Sequence, residues 1–456
     1  MYKEIDNYSI RGVYPFHMPG HKGRTDFFPP NMTALDLTEI PGMDVLSEPT
    51  GIIRDFQKKV ARIYGAEESF FLTNGASAGV IAAICATCAD GNIRNSGLGS
   101  ESLSEIYVAR NAHVSAHNAL VFCGAYPRYF LPEITADGLV AGISPNSFED
   151  LPHGAVVFLV CPTYEGFVSD IAQIAEKVHS RDGILIVDEA HGAHFVFHKF
   201  FPKSALSCGA DIVINSLHKT LPAISGCAVL HVNSTRVDLS RIRFYVNAMQ
   251  TTSPSYMMMA ACDFMLSKLR NEPNLFDEYV ARLDELRRVM AYGDSVAALR
   301  LCSRERIGKN SIFDMDGGKL LFAKNTSLSA EEISYILARE YKIQFEMASG
   351  QHLLAMTSVA DTVEGFERLK TAVRGMNSNL SVTLPNAQGL IIRTLPEIAL
   401  TPREAMLSPH EVISSKNAVG RISAELIAEY PPGIAILAPG ERIHYPPQKT
   451  YVRVVK

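Results

Sequence analysis

The 456-residue chain is short of the features that mark several protein classes. It has 8 cysteines, too few for a disulfide scaffold, and most stand in apolar strings such as the one ending at Cys161. That is the pattern of reduced, buried thiols. There is no excess of one charge: 43 Lys+Arg stand against 48 Asp+Glu, a net of −5. A field that flat draws in neither nucleic acid nor anionic lipid, and the basic residues are scattered rather than gathered into an arm. The longest apolar run, 78–89 broken at Thr87, falls far short of the roughly 20 residues a spanning helix needs. The opening MYKEIDNYSIRG lacks the apolar core of a secretory signal. The expectation is a cytoplasmic protein with no membrane and no nucleic-acid partner. Two nucleotide-binding signatures are missing too, the phosphate loop G-x-x-x-x-G-K-[ST] and the dinucleotide turn G-x-G-x-x-G. What is present is a composition of 47% apolar and 20% charged residues, that of an ordinary folded chain.

Residues 1–35 are rich in Pro, Gly, His and aromatics without a period, and read as an N-terminal arm. From Ile53 to Tyr64 the apolar positions follow helical spacing, and Gly65 stops the helix. β-rich runs then stand at 69–73, 105–109, 155–161, 183–188, 211–216 and 226–232. Helical segments lie between several of them, at 74–88, 115–123 and 169–180. Apolar strands separated by helices predict an α/β fold with a mostly parallel sheet covered on both faces. Ligands then sit outside the carboxyl ends of the strands. A long helical, charged stretch is expected at roughly 272–300. A smaller α/β unit follows, with strands at 319–323, 343–347, 353–358 and 390–394. Its helices fall after the Ser329/Glu332 capping signal, at 362–374 and over the segment GRISAELIAE (420–429). The expected division is an arm (1–35), a large domain (36–300) and a small C-terminal domain (301–456).

Several motifs carry less than they promise. Asp188-Glu189-Ala190-His191 spells a helicase box, but no phosphate loop accompanies it. Cys85-x-x-Cys88 has redox or zinc spacing, yet it lies in an Ala/Ile-rich helix with no second pair, and reads as two core residues. His191, His194 and His198 have helical spacing, but no HExxH pattern supports a metal there.

The stronger signal is a pair of strand-end residues. One strand ends in Asp188, and Ser216-Leu217-His218-Lys219 follows another, 31 residues on, about one crossover plus a strand. An acid and an amine at neighbouring strand ends suit pyridoxal 5'-phosphate (PLP): the lysine forms a Schiff base and the aspartate pairs with the pyridine nitrogen. Gly75-Ala76-Ser77 opens a helix after a strand, where small residues let backbone N–H groups approach a phosphate. His113, also past a strand end, can stack on the ring. Ser216 and His218 flank the lysine and can bond the phosphate. The hydroxyl-rich Thr251-Thr252-Ser253-Pro254-Ser255 can complete that cradle across a subunit boundary.

These residues resemble the ornithine/lysine/arginine decarboxylase family. The likeness runs through Pro15-Phe16-His17-Met18-Pro19-Gly20-His21-Lys22-Gly23, Gly42-Met43-Asp44, Thr73-Asn74-Gly75 and Val187-Asp188-Glu189-Ala190-His191-Gly192-Ala193-His194. It continues through Ser216-Leu217-His218-Lys219-Thr220, Thr251-Thr252-Ser253-Pro254-Ser255-Tyr256, Gly420-Arg421-Ile422-Ser423-Ala424-Glu425 and Tyr430-Pro431-Pro432-Gly433. It implies fold type I of the PLP-dependent transferases, with a seven-stranded-type sheet, in the short form without an N-terminal wing domain. It implies Lys219 as the Schiff-base lysine, Asp188 at the pyridine nitrogen, His113 on the ring and His191 near its edge. Ser77, Ser216, His218 and the Gly75-Ala76 backbone would hold the phosphate, and His218 would join Lys219, His113 and Asp188 in catalysis. It implies a homodimer or larger assembly with active sites at the interface, decarboxylating arginine, lysine or ornithine in polyamine or diamine metabolism. The chain departs from the family at Ser47-Glu48-Pro49-Thr50-Gly51, at Leu217 and at Ala76. A basic substrate needs a carboxylate for its distal cation, and Asp44, Glu48, Glu346 and Glu441 are candidates. Two other readings stand beside this one. The first is transamination or lyase chemistry on the same scaffold, with Arg393 as a carboxylate clamp. The second is a catalytically degenerate regulator.

Overall fold

The computed structural model describes residues 12–88, 104–291, 297–383, 394–429 and 433–456. Its centre is a seven-stranded sheet made of β1 (Glu68–Leu72), β2 (Glu105–Ala109), β3 (Tyr126–Phe130), β4 (Val156–Val160), β5 (Ile184–Asp188), β6 (Ile212–Ser216) and β7 (Ala228–Val232). The order across the sheet is β1-β7-β6-β5-β4-β2-β3, and only β7 runs antiparallel to its neighbours. The predicted strands lie within one or two residues of these. The strand that sequence patterning missed is β3, at the sheet's edge. It carries Pro127, which a central strand would not tolerate.

Side-chain alternation explains why the sheet is buried on both faces. Val157, Leu159, Leu185, Val187 and Val213 join one apolar cluster, while Val156, Phe158, Ile186, Ile212 and Ile214 join another. Helix Gly75–Cys88 lies against the second face, and a Cβ on Gly79 would stand 2.6 Å from Leu72 Cδ1. Cys85 and Cys88 are buried within that helix as core residues.

A four-stranded antiparallel sheet is built from Leu299–Leu301, Lys319–Lys324, His352–Met356 and Met347–Ser349. Helices Ala330–Glu340 and Val363–Asn379 share its apolar cluster through Ile333, Leu337, Phe366 and Leu369. The expected Ser329/Glu332 capping box is present with both bonds made. The N-terminal segment threads between the sheets. Tyr14–Phe16 pairs in parallel with Ile343–Phe345, and Gly20 N–H donates to His218 O at 2.8 Å. A Cβ at Gly20 would stand 2.7 Å from Leu221 O, so only glycine allows that approach.

Some expectations need correction. The long helix covers Asn274–Ala291, and Leu299–Leu301 is a strand rather than its last turn. The 343–347 run is divided between two strands of different sheets, on either side of Glu346. GRISAELIAE is not helical. Ser423 donates its hydroxyl to Glu425 O and accepts Glu425 N–H, a local pairing that competes with helix, and Ile427–Glu429 is a strand paired with Ile434–Leu437. Residues 390–393, including Arg393, lie outside the described residues, as do Tyr430, Pro431 and Pro432.

Candidate active site

The carboxyl rim of the sheet carries the chemistry. Asp188 is the last residue of β5, and Ser216 is the last of the adjoining parallel β6. A single helical turn, Leu217–Thr220, then places His218 and Lys219 beyond the rim. His113 caps helix Val114–Cys123 after β2, its Nδ1 accepting Ser115 N–H at 3.2 Å. Gly75, with φ 75°, starts the helix after β1 and turns the backbone of Ala76 and Ser77 toward the same rim.

One cavity of about 430 Å³ gathers these groups: Gly75, Ala76, Ser77, His113, Asp188, His191, Ser216, His218 and Lys219 all line it. Asp188 accepts Ala190 N–H at 3.0 Å. Ser216 Oγ lies 3.2 Å from His218 Nδ1, which also meets Cys227 O at 3.2 Å. Burial pushes the Lys219 ammonium below its ordinary value, against the pull of Asp188 and Glu346. Burial also lowers His113, which feels Asp188 and Lys219 together. His191 is pushed far down by burial and by two lysines, Lys219 and Lys319.

The structure also supplies residues that sequence reasoning passed over. Asn111 lines the cavity with a buried Oδ1 that has no hydrogen-bond partner. Thr163, Tyr164 and Glu165 follow β4 and line it as well. Their position just past a strand end was a usable signal. Glu165 is buried, its Oε2 has no partner, and burial pushes its carboxyl up to about 7. Lys319 has no sequence signal at all: it opens an ordinary-looking strand, yet its Nζ lies 2.8 Å from His191 Nδ1.

The four acids considered for a distal cation separate cleanly. Asp44 is occupied in accepting N–H groups from Val45, Thr50, Gly51, Ile53 and Arg54. Glu441 is locked to Arg110. Glu48 is exposed in a loop. Glu346 alone reaches the site's surroundings, accepting Met18 N–H at 2.9 Å and Tyr164 O–H at 2.8 Å. The histidine triplet does not converge on a metal: His194 meets Asp316 and His198 meets Asp277. Among the described residues no helix is long and apolar enough to cross a membrane.

The donor set fits PLP. The rim offers an acid for the ring nitrogen, an amine for the aldehyde, and a helix N-terminus with hydroxyls for the phosphate. Comparison with known proteins agrees. Residues 1–336 match the family model "Orn/Lys/Arg decarboxylase, major domain", and residues 385–456 match the C-terminal domain of the same family. A Bacillus cereus protein named arginine decarboxylase is 30% identical, over 96% of this chain and 96% of its own. The constitutive lysine decarboxylase of Escherichia coli is 23% identical, over 97% of this chain and 75% of its own. The crystal structure of Francisella novicida lysine decarboxylase superposes with a TM-score of 0.77 at 17% identity, covering 94% of this chain and 76% of that one. The chain therefore belongs to the Orn/Lys/Arg decarboxylase family and is a PLP-dependent amino-acid decarboxylase.

Proposed function

We propose that this protein decarboxylates a basic amino acid to the corresponding amine, with arginine as the preferred substrate. The observation that carries this reading is Glu165, a buried carboxylate in the cavity wall with an oxygen that lacks a partner. A buried unpaired carboxylate is costly, and a ligand bringing a cation removes the cost. A guanidinium pairs with a carboxylate through two parallel bonds, which an ammonium cannot do. The arginine decarboxylase name of the Bacillus cereus relative supports the same choice.

In this reading Lys219 would be the amine that anchors PLP, and Asp188 would hold a proton on the ring nitrogen. His113, which lines the cavity, would pack on the ring face. Ser77, Ser216, His218 and the N–H groups of Gly75 and Ala76 hold the phosphate. Bound there, PLP supplies the electron sink for the carbon–carbon bond that breaks. Glu165 receives the distal cation and so fixes the substrate end to end, which converts binding energy into orientation. Val140 and Val160 line the cavity and keep water from the reacting carbon. Lys219 or His191 returns a proton to Cα. The 249–253 segment supports an interface role: Thr73 N–H donates to Gln250, Asn74 donates to Met249 O, and Thr251, Thr252 and Ser253, which follow in the chain, are exposed. We read those hydroxyls as completing the cradle of a second subunit in a homodimer or larger assembly.

The test is release of CO₂ from arginine, lysine and ornithine offered side by side with PLP. Arginine should turn over fastest. No CO₂ from any of the three would overturn the reading, and faster release from lysine would overturn the substrate choice.

A further inference from the structure

His191 stands between two lysines, and with Lys319 as an ammonium the hydrogen-bond inventory of that trio admits one arrangement. Lys319 Nζ lies 2.8 Å from His191 Nδ1, 2.9 Å from Tyr164 O and 3.8 Å from Met356 Sδ, so three acceptors surround the three N–H bonds of an ammonium. On the other side, His191 Nε2 lies 3.2 Å from Lys219 Nζ. A neutral imidazole has one donor and one acceptor, and an ammonium can only donate. With Nδ1 spent as the acceptor, Nε2 carries the proton, and the single lone pair of a neutral Lys219 amine is what accepts it.

We propose that Lys319 is a positioning residue that fixes His191 as the Nε2–H tautomer, and that this N–H keeps the Lys219 amine unprotonated, so that release of the one hydrogen bond frees its lone pair for the cofactor's aldehyde. The inference rests on reading Lys219 as the anchoring amine. The packing supports it. Lys319 is buried, Tyr164 covers both groups with its ring 5.2 Å from Lys319 Nζ and 5.3 Å from the His191 ring, and a Cβ on Gly166 would stand 2.8 Å from Lys319 Cγ. The charges facing the trio fit. Lys319 feels Asp316, Glu346, Lys219 and Glu165, and burial lowers it only to about 8, so it stays cationic at neutral pH. Lys219 feels Asp188 and Glu346, and its ammonium is lowered by burial. His191 feels both lysines, His113 and His218, all of which disfavour an imidazolium.

Two measurements on the 456-residue chain decide the matter. In the first, cofactor is stripped, the histidines are labelled with ¹⁵N, and His191 is assigned by loss of its signals in His191→Asn. Between pH 6.5 and 7.5 the wild type should show a protonated Nε2 and a bare Nδ1. An Nδ1–H tautomer, or an imidazolium, overturns the proposal whether or not the protein takes up cofactor. The second is the rate at which the stripped chain turns yellow with added PLP, followed against pH. Lys319→Met should raise the midpoint of that profile by about one unit and slow uptake about tenfold below it, with little change at high pH. Lys319→Gln, which keeps a donor for Nδ1, should restore part of the loss. A uniform slowing at every pH would mark Lys319 as merely structural and overturn its assigned role. If the wild-type chain never turns yellow, the assignment of Lys219 fails, while the tautomer measurement still decides the role of Lys319.

Discussion

The loop after β2 leads to two buried polar clusters that differ in one respect. At its start, Arg110 and Glu441 are both fully buried, joined by bonds of 2.6 and 2.7 Å. Arg110 also donates to Ala435 O and Ile436 O, and Glu441 accepts Ala438 N–H. The guanidinium sits over the Tyr129 ring at 4.7 Å. Both charges are compensated, so this cluster is closed to a ligand and pins the C-terminal segment to the large sheet. The cavity cluster holds Asn111, Glu165, His191, Lys219 and Lys319, and it is not closed. Asn111 Oδ1 and Glu165 Oε2 lack partners, and burial lowers the ammonium of both lysines. Buried charge that is fully paired builds the fold; buried charge left short of partners marks where a ligand completes the set.

The largest expected effect breaks the open cluster. Lys219→Ala should abolish the yellow cofactor band and cut CO₂ release by roughly a thousandfold or more, measured by absorbance and by trapped CO₂. Normal turnover in that variant would refute the role given to Lys219. Asp188→Asn should keep some cofactor but lose about a hundredfold in kcat, because the ring nitrogen loses its acid partner. Unchanged kcat would free the nitrogen from that carboxylate. The closed cluster should break in a different currency. Arg110→Met strands a buried Glu441 and should cost about 3–5 kcal/mol in denaturant unfolding. Adding Glu441→Leu should recover most of that loss. A double variant as unstable as the single one would mean that the ion pair is not what pins the segment.

The difference between the clusters also explains what was legible in the sequence. The sheet was legible because its alternating apolar strands are buried on both faces, and Asp188, Lys219 and the Gly75-Ala76-Ser77 turn stand at strand ends, where topology forces convergence on one cavity. Lys219, Asp188 and Ser77 could be found from position alone. Lys319 could not, because it reaches the site from the other sheet through a fold-level crossing that no local pattern encodes. Asp44 and Glu441 looked like candidate ligands because a sequence shows charge and not its partners: one accepts N–H groups of its own loop and of the first turn of helix Ile52–Tyr64, the other is half of an ion pair. GRISAELIAE misled for a related reason, since helix-forming residues yielded to strand pairing and to the Ser423 turn.

Two smaller changes sharpen the line between the clusters. Glu165→Gln should raise the KM for arginine about tenfold or more with a lesser effect on kcat, because a charge-assisted pair becomes a neutral one. It should also change stability with a definite sign. The Glu165 carboxyl stands at about 7 in the fold against an ordinary 4.5. An acid raised in this way favours the fold below its unfolded value, and that advantage fades as pH climbs through 7. The Gln variant should therefore gain on the wild type between pH 4.5 and 7, by at most about 3 kcal/mol, read from urea midpoints at a series of pH values. A constant difference across that range would mean that the carboxylate is already paired. The smallest effect belongs to Glu48, an acid with the same side chain set in an exposed loop. Glu48→Gln should leave kcat/KM within about twofold and stability within about 0.5 kcal/mol, as for most exposed substitutions. If it instead raised the KM for arginine as Glu165→Gln should, the cation would be bound from the surface loop, and an unpartnered oxygen in a cavity wall would no longer be the mark of the binding site.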